Sequence, residues 1–393
     1  MGVINASLWF WLMPMIVSSG VLRELDDAQE ICKTYIHEEL LYVDCSNSGL
    51  TELPDGIDTN AQVILLRNNY FVRFPPQLVN FLQVQILDIS ENRLYGSLPP
   101  YIQNFQQLKI LNLSNNNYDS WASSEQTLSI IKLDLSKNKI NRIDEDAFIR
   151  MPRLAILDLS ENRLSNLAAG IFTKTTSLEV LILSRNSFSE VPNFESSSLR
   201  NLHLSSCQIT SFNANSLSEM HSLLELDLSI NQIEAIPDNL ASNSLQELDL
   251  SYNEIETLTD RTFSSLPHLA VLNLRGNEFK EVWSTSHFAS NPFLREVLVK
   301  GNRWSCEGFG INLLLTFEFL TKEPSKVPDS DRGSLICYSP TNVTNMSWQQ
   351  AYIQTWHSAG EAASTYTLMA VLFGVIIGVL ITSCVCRFLM NVN

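Results

Sequence analysis

Glu225, Asp227, Glu247 and Asp249 are the side chains of this sequence best placed to act together. In each pair the Glu stands two residues before the Asp, and the second pair follows the first after 22 residues. Carboxylates grouped in this way can act as general acid and base, hold a metal ion, or attract a cationic partner. The first two chemistries need convergent groups that the sequence does not offer. The six histidines, His37, His203, His221, His268, His287 and His357, stand far apart without metal-ligand spacing. No phosphate loop, nucleophile elbow or zincin motif occurs. Neither an enzyme nor a cofactor is expected, which leaves attraction of a cation.

The element that must position these carboxylates is a repeat. Leu223–Asn231 reads LLELDLSIN, Leu245–Asn253 reads LQELDLSYN, Leu154–Asn162 reads LAILDLSEN and Leu108–Asn116 reads LKILNLSNN. Indexed by the asparagine, the copies fall at Asn69, Asn92, Asn116, Asn138, Asn162, Asn186, Cys207, Asn231, Asn253, Asn277 and Asn302. Self-similarity at such a period indicates stacked supersecondary units, because one copy cannot bury its own leucines. Leu223, Leu226, Leu228 and Ile233 point inward, while Glu225, Asp227 and Ser229 alternate outward, the period of a short strand.

Two outward columns follow from that register. Six residues before the asparagine slot stand Val63, Ile86, Ile110, Lys132, Ile156, Val180, Asn201, Glu225, Glu247, Val271 and Glu296. Four before it stand Leu65, Asp88, Asn112, Asp134, Asp158, Ile182, His203, Asp227, Asp249, Asn273 and Leu298. With neighbouring strands ~4.8 Å apart, the four carboxylates crowd together. Two readings stand side by side. Asp227 and Asp249 satisfy local hydrogen bonds as a common letter of the repeat, or all four carboxylates, with His203 and Tyr252, form a ligand-binding face for a basic protein.

Composition sets further bounds. The 393 residues carry 26 Lys and Arg against 42 Asp and Glu, a formal charge of −16 that argues against nucleic acid as partner. An apolar run from Ser7 to Val17, followed by Ser18, Ser19 and Gly20, reads as a signal peptide. Residues 366–386 hold no charge and suffice to cross a membrane. Asn112, Asn342 and Asn345 begin glycosylation sequons. Within the apolar span, Gly374 and Gly378 fit a helix-pairing pattern that suits a homo- or hetero-dimer, although glycine is common in such helices. Cys384 and Cys386 at its edge suit palmitoylation, or stand unmodified. The small residues around Ser358–Gly360 and Ala362–Ser364 also suit a glycolipid anchor, in which the tail is removed.

The pattern L-x-x-L-x-L-x-x-N-x-L resembles the leucine-rich repeats of animal extracellular proteins. That resemblance implies an α/β solenoid, a horseshoe with a parallel concave sheet, disulfide caps and one transmembrane helix. It implies that each asparagine amide bonds backbone groups, and that Cys207 in that slot is a buried thiol. Val43–Pro54 is similar to the amino-terminal cap of such proteins, and the stretch from Asn302 to Cys337 to the carboxy-terminal cap. The resemblance pairs Cys32 with Cys45 and Cys306 with Cys337. The organisation expected is a signal peptide over 1–19, a cap over 20–60, about eleven repeats over 61–301, a second cap over 302–338, a stalk over 339–365, a membrane helix over 366–386 and a cytoplasmic tail over 387–393.

Toll-like receptors and neuronal adhesion proteins share this pattern, but the seven residues after the span leave no room for an intracellular signalling domain. The expected role is recognition or adhesion at the plasma membrane. The chain would be a single-pass type I protein that binds an extracellular or cell-surface protein through its concave face and acts with a co-receptor. The alternatives are an auxiliary subunit that regulates a channel or receptor through its membrane helix, and a glycolipid-anchored binding protein.

Overall fold

Each repeat contributes only three residues to a sheet before the chain turns away, the middle one buried in the core and the two beside it turned outward. In the computed structural model the described residues are 31–354, except residue 282, residues 308–310 and residues 323, 329, 330, 332 and 334. The stretch expected as a signal peptide, the apolar span 366–386 with Cys384 and Cys386, and the residues expected as a tail lie outside them. Among the described residues no helix is long and apolar enough to cross a membrane. The chain divides into two units, one running to Phe188 and including Pro192–His203, the other made of Ser189–Val191 and the chain from Leu204 onward.

The first unit opens with an antiparallel hairpin, β1 (Lys33–His37) and β2 (Leu40–Asp44). Glu38 and Glu39 make its two-residue turn, both at positive φ as a tight hairpin requires. Lys33 pairs with Asp44, so Cys32 and Cys45 stand opposite each other one step further, Cα atoms 4.2 Å apart, and form a disulfide. Parallel strands follow at Val63–Leu65, Ile86–Asp88, Ile110–Asn112, Lys132–Asp134, Ile156–Asp158, Val180–Ile182 and Asn201–His203. Each pairs in register with the next copy, for example Ile110 with Lys132 and Asn112 with Asp134. The middle residues Leu87, Leu111, Leu133 and Leu157 are wholly buried. Behind them Phe148 stacks on Phe172, ring centres 5.7 Å apart, and Phe172 meets Phe194 edge-on at 5.1 Å.

The second unit has four parallel strands, Glu225–Asp227, Glu247–Asp249, Val271–Asn273 and Glu296–Leu298. A helix at Ile311–Thr321 follows in its cap. Connections behind the sheets are short turns of 3-10 helix, such as Pro76–Asn80, Pro100–Asn104 and Thr285–Phe288. Among the described residues the α component expected of the fold therefore comes down to the cap, since links this brief are too short for regular helix.

The asparagine ladder holds the coils together. Asn231 donates from Nδ2 to the carbonyls of Leu204 and Leu228, both at 2.9 Å, and its Oδ1 accepts the Cys207 and Ile209 amides at 2.8 and 3.1 Å. Asn92 does the same with Leu66 and Ile89 carbonyls and the Phe71 amide. Each amide thus satisfies buried backbone groups of two successive coils, which would otherwise cost ~1–3 kcal/mol apiece. Cys207 in this slot is buried and outside any disulfide.

Cys306 and Cys337 are joined in the carboxy-terminal cap. The stretch expected as stalk from 339 does not stand clear of this cap. Trp348 is buried against Trp304, ring centres 5.3 Å apart, and Val343 and Ala351 are also buried. The Cys306 amide donates to Ser339 and the Cys337 amide to Met346. Residues 339–351 pack into the cap because Trp348 completes an aromatic cluster with Phe279, Trp283 and Trp304.

Candidate functional site

In the second unit Glu225 pairs with Glu247 and Asp227 with Asp249 across adjacent parallel strands. The buried Leu226 and Leu248 between them anchor the strands, so the carboxylates are held on the opposite, outward face. The two columns then behave differently. Asp227 accepts the Ser229 amide at 2.9 Å. Asp249 accepts the Ser251 amide at 2.8 Å and its hydroxyl at 2.6 Å on one oxygen, and the Asn273 side-chain amide at 2.8 Å on the other. These aspartates cap the ends of their own strands, so the local reading describes them.

In the glutamate column Glu247 faces solvent more fully than Asp249 beside it. Glu247 is half exposed, with the Arg295 guanidinium 3.6 Å away. Its carboxyl is held above the usual carboxylate range, first by loss of water, then by the neighbouring Glu225, with Arg295 opposing and Glu296 adding to the rise. Like charges two strands deep make a standing repulsion that one arginine offsets in part.

Tyr252 is 61% exposed, at φ 55°. Its ring lies on Gly276, where an added Cβ would fall 2.6 Å from the ring. Beside it Arg275 donates Nε and Nη to the two oxygens of Asp331 at 2.8 and 2.7 Å. His203 ends the last strand of the first unit, half buried and in register with Ile182. The other five candidates lie in the second unit. Sequence reasoning missed Arg295 and Asp331. Arg295 is legible as the residue before Glu296 in the outward column, but Asp331 carries no repeat signal.

The first unit's face is different. Ile86, Ile110 and Ile156 are half buried on it. Asp134 and Asp158 pair across strands, and the Asp158 carboxyl is pushed up to about 6, by burial first and Asp134 second. Asn112 stands between Asp88 and Asp134 in register. Its side chain hydrogen-bonds the Asp88 carboxylate and accepts the Ser114 amide at 3.0 Å. Asn342 and Asn345 are exposed. Among the described residues no group of three or more His, Cys, Asp or Glu side chains could hold a metal ion.

Leucine rich repeat models match residues 129–188, 231–279 and 243–303, and a second such model matches residues 83–105 and 198–220. The chain therefore carries leucine-rich repeats, folded as a parallel-sheet solenoid with two disulfides. Solved structures share that fold. A chain from the octameric complex of latrophilin 3, Unc5D and FLRT2 superposes with a TM-score of 0.58 at 22% identity, over 81% of this chain and 96% of that one. A leucine-rich-repeat protein of Leptospira interrogans superposes with a TM-score of 0.51 at 26% identity, over 67% of each chain. The mouse RP105/MD-1 complex contributes a chain with a TM-score of 0.57 at 20% identity, over 78% of this chain and 53% of that one. No curated protein sequence matches the chain.

Proposed function

We propose that this chain is a cell-surface recognition or adhesion protein that binds another protein through the outward face of its sheet. The observation that supports it most is the face itself. Within each unit strand after strand presents outward side chains in register, apolar in the first at Ile86, Ile110 and Ile156 and acidic in the second at Glu225, Glu247 and Glu296, each kept partly in solvent. Such a surface is shaped to meet another macromolecule. Two of the similar folds come from complexes with other proteins, latrophilin 3 and Unc5D in one and MD-1 in the other.

In this reading Glu225 and Glu247 receive a basic partner, whose cations would relieve the repulsion between them. Tyr252 offers an aromatic contact beside them, while Asp227 and Asp249 hold the strand ends. Residues 366–386, without a charge and long enough to cross a membrane, anchor the chain as a single-pass type I protein in this reading. Exchange of residues 366–386 for an unrelated membrane helix tests this. Retained binding and cellular response support recognition by the solenoid, whereas loss of the response with binding intact moves the function to the helix. Release from cells by a phospholipase that cuts glycolipid anchors would overturn the helical anchor.

A further inference from the structure

The first and third residues after each ladder asparagine flank a buried apolar one, so both point outward. In nine of the eleven copies both are polar, as in Asn117 and Asp119, Lys139 and Asn141, or Glu254 and Glu256. The copies at Asn69 and Asn92 depart from this. They carry Tyr70 and Val72 around buried Phe71, and Arg93 and Tyr95 around buried Leu94. Tyr70, Val72 and Tyr95 are 48%, 45% and 51% exposed. The Arg93 amide donates to the Phe71 carbonyl at 2.9 Å, which sets the two segments side by side. The Arg93 guanidinium lies over the Tyr70 ring, 4.5 Å from its centre.

Water-exposed large side chains are common singly, but three adjacent ones, Tyr70, Val72 and Tyr95, at positions polar in the other copies and with an arginine among them, are not. Charge narrows the occupant. Arg67 is paired with Glu91 at 2.7 Å, whereas Arg93 and the adjacent Arg73 have no carboxylate within ion-pairing distance among the described residues. In a chain of net charge −16 these two arginines are open to a carboxylate from a partner. We propose that Tyr70, Val72, Arg93 and Tyr95 form a second interaction surface, which takes a protein segment presenting a carboxylate next to an aromatic or aliphatic side chain. Arg93, held by the Tyr70 ring, meets the carboxylate, and Val72 and Tyr95 receive the apolar neighbour. The surface lies in the first unit and has the opposite charge to the glutamate column, so it stands whether or not that column binds a basic partner.

The full chain, captured on beads, is panned against a phage library of random peptides, with heparin as a parallel probe. The expected peptides carry Asp or Glu beside an aromatic or aliphatic residue. Their affinity falls about tenfold or more in Arg93→Glu and in Tyr95→Ser, stays low in Arg93→Gln, and is unchanged in Glu225→Lys/Glu247→Lys. All four variants melt within a few degrees of the parent, because the substituted side chains are exposed. Enrichment of basic peptides, no enrichment, or affinities indifferent to Arg93 and Tyr95 overturns the proposal. Heparin binding that depends on Arg93 and takes the place of peptide binding also overturns it, since the surface would then serve a sulfated polysaccharide.

Discussion

Arg275, on the outward side of a repeat coil, grips both carboxylate oxygens of Asp331, 56 residues further along, and Asp331 is only 2% exposed. The pair fastens the carboxy-terminal cap to the repeats of the second unit. Without such a cap the end coil would expose core side chains to water. Replacing Arg275 by Ala leaves the buried carboxylate short of its charged partner. The expected loss is about 2–4 kcal/mol, read as a lower melting temperature. Arg275→Lys should recover only part of it, because an ammonium cannot reproduce the two parallel hydrogen bonds. A loss equal in the Lys variant and the Ala variant would point to bidentate geometry alone; no loss in either would remove the clamp.

Tyr252 and Gly276 depend on each other. Gly276 sits at φ 63° and its missing Cβ is where the Tyr252 ring lies. Gly276→Ala therefore meets two costs, a left-handed backbone of ~1–2 kcal/mol and a collision with the ring. In a double-mutant cycle Tyr252→Ser should cancel the collision and leave the backbone cost. Additive effects of the two substitutions would show that the ring moves aside freely.

The Asp158 carboxyl supplies a pH dependence. Its folded value of about 6 lies above its ordinary 3.8, because burial and the paired Asp134 oppose the charge. The folded state then binds more protons than the unfolded chain between those values. This contribution to stability is fully present below 3.8 and is lost as the pH rises through about 6. Asp158→Asn keeps an oxygen for the Ser160 amide and hydroxyl, which the carboxylate accepts at 2.9 and 2.7 Å. It should stabilise the first unit by about 1–3 kcal/mol at neutral pH and little in acid. Melting curves of parent and variant across this range that stay parallel would exclude the effect.

The glutamate column gives opposite predictions for its two members. Glu225→Lys places a cation across from Glu247 and should leave stability within about 0.5 kcal/mol or raise it. Glu247→Lys places a cation near Arg295, 3.6 Å from the present carboxylate, and should be the less stable of the two. Against a basic partner the double variant should bind with a slower on-rate and a weaker salt dependence. Unaltered association kinetics would reduce the column to a solvated face.

Much of this was legible because the repeat converts sequence distance into spatial adjacency. Residues one period apart become neighbours on parallel strands, so the facing of Glu225 and Glu247, the inward leucines and the asparagine ladder follow from indexing alone. The resemblance carried by the caps paired Cys32 with Cys45 and Cys306 with Cys337, and both disulfides are present. What indexing could not reach has no period. Asp331 lies in a cap loop, and only the folding of that loop back onto the repeat coil brings it to Arg275. Trp348 stands in a polar stretch that reads as stalk, yet it joins Trp304 because the last coil leaves an aromatic surface to cover. The division of labour among the carboxylates was likewise a tertiary matter. Asp249 takes its second oxygen's partner, Asn273, from the next coil, and Glu247 takes Arg295 from two strands away. The sequence by itself determined which side chains share a face, since strand alternation and a fixed period are local rules. Only the tertiary structure decided which of them are occupied by partners and which remain turned to solvent, since hydrogen bonds and ion pairs form between groups that the fold, and not the period, brings within reach.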